Sequence, residues 1–115
     1  MTVANQYAEK FKKVALVVDG DLSDDLISDP VEVNHLKSAS FELAWDGDAA
    51  GDFSVEVSNT GEEDSWTALP LTDQISAEGA PGTAQIDVPV GADKVRLVYA
   101  KTSGSGELQC TVVVK

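Results

Sequence analysis

Lys94-Val95-Arg96-Leu97-Val98-Tyr99-Ala100-Lys101-Thr102-Ser103-Gly104-Ser105-Gly106-Glu107-Leu108-Gln109-Cys110-Thr111-Val112-Val113-Val114 is the stretch that decides the fold. Val95, Leu97 and Tyr99 fall on one side of an extended chain, with Lys94, Arg96 and Val98 on the other. After a glycine-serine break, Leu108, Cys110, Val112 and Val114 alternate with Gln109, Thr111 and Val113. A period of two with one polar face belongs to antiparallel strands that are wet on one side. Ser103-Gly104-Ser105-Gly106 joins two strands rather than opening a helix, so it reads as a hairpin connection.

The same period recurs upstream. Phe41, Leu43 and Trp45 share a face, as do Phe53, Val55 and Val57, and Ala84, Ile86 and Val88. Weaker strands are expected near 14–18, 31–36 and 66–69. Polar and glycine-containing segments separate them: Asp46-Gly47 through Asp52, Asn59 through Asp64, Gly79-Ala80-Pro81-Gly82 and Gly91-Ala92-Asp93. About eight short strands of this kind predict an all-β, antiparallel two-sheet sandwich, with the jelly roll among the arrangements of that count. The expected core is Phe41, Leu43, Trp45, Phe53, Val55, Val57, Ile86, Val95, Leu97, Tyr99, Leu108, Cys110 and Val112.

The start of the chain follows a different rule. Tyr7, Phe11 and Val14 fall at i, i+4 and i+7, one stripe of a short helix. A helix this short needs a docking partner. Residues 1–13 are therefore read as an arm or short helix and 14–115 as the sandwich domain. The arm is either a cap on its own domain or a contact for another chain.

Charge divides the chain in the same way. The net charge is −12. Lys10, Lys12 and Lys13 against Glu9 leave residues 1–13 at +2, whereas residues 14–93 hold only Lys37 against 18 acidic groups, net −17. Residues 94–115 are net +3. Such an acidic body repels phosphate backbones, so no nucleic-acid partner is expected. No apolar run approaches the roughly 18 residues that span a membrane, and the start lacks a basic stretch followed by an apolar one. Neither a membrane partner nor a secretory signal is expected. The single cysteine excludes an internal disulfide.

The residues that would carry chemistry are few. His35 is the only histidine, so a multi-histidine zinc site is excluded, and it reads as an ordinary strand-end histidine. Cys110 is in register with Leu108 and Val112 and reads as a buried, inert thiol. Asp46-Gly47-Asp48-Ala49-Ala50-Gly51-Asp52 and Asp19-Gly20-Asp21-Leu22-Ser23-Asp24-Asp25 resemble calcium loops. Their twelfth positions are Val57 and Pro30, however, so the EF-hand pattern fails in both and solvated turns are the stronger reading. No Walker loop or dinucleotide fingerprint is present. Trp45 is assigned to the core. Trp66 is assigned there too, with a sugar-stacking surface as the alternative. The chain is expected to be no enzyme, with no cofactor.

Two stretches together carry a resemblance. The first is Gly51-Asp52-Phe53-Ser54-Val55-Glu56-Val57-Ser58, leading after a loop to Trp66. The second is Val95-Arg96-Leu97-Val98-Tyr99, leading through Thr102-Ser103-Gly104-Ser105-Gly106 into the last strand. Over residues 27–115 their order resembles small β-sandwich structural proteins of tailed bacteriophages: capsid decoration, head-fibre or tail-associated components. The acidity and Cys110 depart from the commoner pattern. Discoidin-like carbohydrate-binding sandwiches share the first stretch. The phage resemblance implies a non-catalytic virion protein, made in the host cytoplasm, that binds a capsid or tail lattice and forms a homo-oligomer. In that setting Tyr7, Lys10, Phe11, Lys12 and Lys13 are the expected assembly residues. The alternative is a carbohydrate-binding module, which expects Trp66 or Tyr99 on an exposed platform.

Overall fold

The computed structural model describes residues 12–33, 38–71 and 74–114. Ten strands are present and no helix occurs among the described residues. They are β1 (Lys12–Asp21), β2 (Leu26–Ile27), β3 (Val31–Glu32), β4 (Ser38–Trp45), β5 (Ala50–Ser58), β6 (Thr67–Ala68), β7 (Ile75–Glu78), β8 (Gly82–Pro89), β9 (Lys94–Ser103) and β10 (Glu107–Val114). One sheet has the order β1-β10-β4-β8. The other has β2-β9-β5-β6, with β3 also on β9 and β7 also on β5, and every pairing is antiparallel.

Counting β2 with β3 and β6 with β7 as two interrupted strands leaves eight positions in two four-stranded sheets. The chain then changes sheet at every step except from β5 to β6. This is the jelly-roll order, and the expected all-β sandwich is the observed fold.

Two buried serines hold irregular stretches of the second sheet. Between β2 and β3, Ser28 is buried and its hydroxyl accepts the Leu97 N–H at 2.9 Å, while its own N–H donates to the Leu97 carbonyl at 2.9 Å. A side-chain oxygen thus stands in the ladder just ahead of Asp29-Pro30, where proline has no N–H to donate. At the end of β5, buried Ser58 accepts the N–H groups of Thr60 and Gly61 at 3.2 and 2.8 Å and shares a hydrogen bond with the Ser65 hydroxyl. That hydroxyl shapes the polar loop 59–65.

Alternation correctly placed most of the core. Phe41, Phe53, Val55, Val95, Leu97, Tyr99, Leu108 and Val112 are fully buried, and Trp45, Phe53 and Tyr99 form a ring column across the sandwich with centroids 5.2 and 4.9 Å apart. Val57 differs from expectation. It is only half-buried, because the inward position at the end of β5 passes to Ser58. Leu22, Val31, Val33, Ala49, Ala77 and Val90 add buried surface from loops and short strands.

The 104–106 segment is the second difference. β9 and β10 lie in different sheets, so the connection is an arch across the sandwich and not a hairpin. Alternation reports which side of a strand is wet, but it does not report which strand lies alongside.

Phe53→Ala removes the middle ring of the column from a site with no solvent exposure. It should lower unfolding free energy by about 3–5 kcal/mol in denaturant melts.

Candidate functional site

Four sheet-crossing connections meet at one end of the sandwich: β1 to β2, β4 to β5, β7 to β8 and β9 to β10. The acidic connection 46–49 lies among them, and its carboxylates are occupied. Asp46 Oδ1 accepts the Glu107 N–H at 2.7 Å and Asp48 Oδ1 accepts the Ser105 N–H at 3.0 Å. In return the Asp46 and Asp48 N–H groups donate to the carbonyls of Glu107 and Ser105, at 3.2 and 3.0 Å. The arches pack so closely that a Cβ on Gly104 or Gly106 would lie 2.1 Å from the carbonyl oxygen of Asp48 or Asp46. The Leu22 N–H donates to the Gly106 carbonyl, the Gly79 N–H to the Ala49 carbonyl, and the Trp45 indole N–H to the Ala80 carbonyl.

The second calcium-like loop is similarly used. Asp21 Oδ1 accepts both the hydroxyl and the N–H of Ser23, bonds that hold its carboxyl below the usual range. Asp25 accepts the Lys101 N–H at 2.8 Å. Asp19 has a positive φ of 52° at a bulge in β1, where its N–H donates to Gln109 Oε1 and its carboxylate accepts the Gln109 amide. Among the described residues, no three His, Cys, Asp or Glu side chains converge as a metal site would require.

The aromatic residues are covered. Tyr99 is fully buried and its hydroxyl has no hydrogen-bond partner among the described residues. Burial first, then the nearby charges of Asp52 and Asp25, push the phenol pKa up, so it stays neutral. Trp66 is not in the core as expected. It lies half-buried beneath the Arg96 guanidinium, which sits 4.1 Å from the ring centroid. Arg96 Nε and Nη2 also donate to Glu56 Oε1 at 2.9 and 2.6 Å. Arg96 belongs to the outward set of β9, so this stack caps the outer face of the second sheet.

The first sheet presents an open outer surface. Its outward residues Glu42, Ala44, Thr83, Gln85, Gln109 and Thr111 line a trough of about 480 Å³. The trough continues past Ser38, Ser40, Asp87 and Pro89 into a second depression of about 400 Å³. Gln85 Nε2 donates to Ser40 Oγ at 3.1 Å and Asp87 Oδ1 at 3.2 Å. These positions were legible as outward-facing, but the order β10-β4-β8 that brings them together was not.

Of the expected assembly residues, Tyr7, Lys10 and Phe11 lie outside the described residues, as does His35. Lys12 and Lys13 belong to β1, opposite Val114 and Val113, so that strand starts two residues before the expected domain boundary. Cys110 is buried and desolvation pushes its thiol up to about 12.

The described residues define a jelly-roll sandwich with a laced arch end and one open polar sheet face. No protein-family model matches the chain, and no curated protein matches it in sequence. Among solved structures it is similar to the SPBc2 prophage-derived protein YomS, with 14% identity, 91% of this chain and 95% of that chain covered, and a TM-score of 0.55. It is more distantly similar to the K1 cleaved adhesin domain of Lys-gingipain from Porphyromonas gingivalis W83, with 12% identity, 92% and 90% covered, and a TM-score of 0.45. Family 16 carbohydrate-binding module-2 has 9% identity, 90% and 74% covered, and a TM-score of 0.42. The likeness to YomS is one of fold.

Two outcomes follow from the site geometry. Asp46→Ala removes a charge-assisted acceptor from the arch lacing and should cost about 1–2 kcal/mol in thermal or denaturant melts. Thiolate is the reactive form of cysteine. With a pKa of about 12, roughly one Cys110 in ten thousand is ionised at pH 8. Thiol reagents should therefore label native protein far more slowly than unfolded protein.

Proposed function

We propose that the chain is a non-catalytic structural protein of a bacteriophage virion, docking on a capsid or tail lattice in a decoration, head-fibre or tail accessory role. The observation that carries this reading is the fate of the chemically capable side chains. Asp21, Asp25, Asp46 and Asp48 accept hydrogen bonds that fasten turns and arches, and Tyr99 and Trp66 are covered. Broad sheet faces and strand edges are left as contact surface, which suits association with a lattice. The fold likeness to a prophage-derived protein and the order of the sequence stretches support the same reading.

In this role Tyr7 and Phe11 supply an apolar contact to a neighbouring subunit or the lattice. Lys10, Lys12 and Lys13 steer the encounter toward acidic groups, an effect that weakens with salt. A carbohydrate-binding role is the second reading, favoured by the hydroxyls and amides of the trough.

Mass spectrometry and cryo-electron microscopy of purified phage particles test the proposal directly, and the protein should appear as ordered density on the capsid or tail. Deleting residues 1–11 leaves all of β1 and should lower particle co-pelleting without changing the melting transition. Absence from particles, together with saturable glycan binding lost on Gln85→Ala, would replace the virion reading with the carbohydrate one.

A further inference from the structure

β1 is an outer strand of the first sheet, and β2 is an outer strand of the second. The flank between them carries exposed apolar side chains among polar backbone and Ser28 and Asp29. Val18 and Ile27 are the two exposed large hydrophobics among the described residues, at 66% and 59%, while Leu16, Val17 and Leu26 beside them are only partly buried. A depression of about 250 Å³ runs along this seam. The cause is the irregular register of β1: shifts occur between Ala15 and Val17 and again between Val17 and Gly20, so the strand bulges and Val18 projects. The bulge prevents a regular ladder from extending across this flank and leaves side-chain packing as the available contact.

Outer strands away from this flank are protected differently. β3 and β6 are two residues each and β7 four, and β8 ends in Pro89 with Gln85 and Asp87 facing out.

Charge along the flank identifies the occupant. Lys13 stands at one end, exposed and without an ion-pair partner among the described residues, whereas Lys94 and Arg96 are paired with Glu32, Asp93 and Glu56. Asp19, Asp21 and Asp24 stand exposed at the other end, with the Lys101 charge close enough to act on Asp21. A two-fold axis through the Val17–Val18 region reverses β1 and brings the lysine end of one copy to the aspartate end of the other. That arrangement sets Lys13 of each copy against aspartates of the other and apolar side chains against apolar side chains, a contact that a closed two-fold interface makes twice. An acidic chain would otherwise repel its own copy.

We propose that a second copy of this chain docks on the β1–β2 flank, burying Val18 and Ile27 across a two-fold axis. This proposal does not depend on the virion reading.

Sedimentation of the full chain over a concentration series tests it. The wild type should dimerise, and Val18→Lys should weaken the dimer by at least about tenfold. Ile27→Lys should do the same, and both sites are exposed enough to leave the melting transition unchanged at concentrations where the wild type is monomeric. Lys13→Glu should weaken the dimer at low salt and lose its effect at high salt. Deleting residues 1–11 should leave the dimer intact. The proposal is overturned if the wild type stays monomeric into the millimolar range, or if it dimerises regardless of Val18→Lys and Ile27→Lys. It is also overturned if removing residues 1–11 creates or strengthens the association, since that segment would then be the occupant. Particle co-pelleting of the same variants reports separately on lattice binding.

Discussion

The reciprocal clasp between the 46–48 and 105–107 arches is the constraint on which the sandwich depends. Two carboxylates accept backbone N–H groups across it, and two backbone donors return to the opposite carbonyls. Each arch carries the chain from one sheet to the other, so the clasp fixes how the sheets are spaced and aligned. The ring column of Trp45, Phe53 and Tyr99 packs at that spacing. Gly51 lies beneath Tyr99, where a Cβ would come within 2.7 Å of the ring. Hydrogen bonds define the frame, and apolar burial supplies most of the driving force within it.

This use of aspartate explains how an acidic protein can hold acidic loops together. Asp21, Asp25, Asp46 and Asp48 meet backbone N–H groups rather than one another, so each carboxylate fastens a turn or arch instead of facing a second carboxylate. Two cationic side chains serve elsewhere. Arg96 joins Glu56 to Trp66 on an outer face, and Lys94 bridges Glu32 and Asp93.

The sequence made the inward and outward sides of the strands legible, since burial against one face enforces a period of two. Phe41 through Trp45 and Leu108 through Val114 were readable for that reason. Strand partners were not, and the hairpin expected at 103–106 failed because a glycine-rich arch and a glycine-rich hairpin have the same composition. Trp66 was misplaced because its position depends on Arg96, thirty residues away and two strands across the sheet. The Val18–Ile27 flank was hidden for a related reason: Val-Ala-Leu-Val-Val reads as an ordinary strand until the bulge at Asp19 is seen. Nothing in the spacing of the acidic loops distinguished carboxylates that bind backbone from carboxylates that bind a cation.

The pairing of β1 with β10 has a mechanical consequence. Lys12 lies opposite Val114, so the first and last described strands begin and end at the same extremity, with the four arches at the other. Tension applied between those two strand ends would peel β1 from β10 one pair at a time, a low-force geometry. A load applied between the arches and either strand end would instead run along the strands and strain many ladder bonds at once. An attachment that grips the arch end therefore meets the stiff direction of the molecule, and one that pulls the two strand ends apart meets its soft direction.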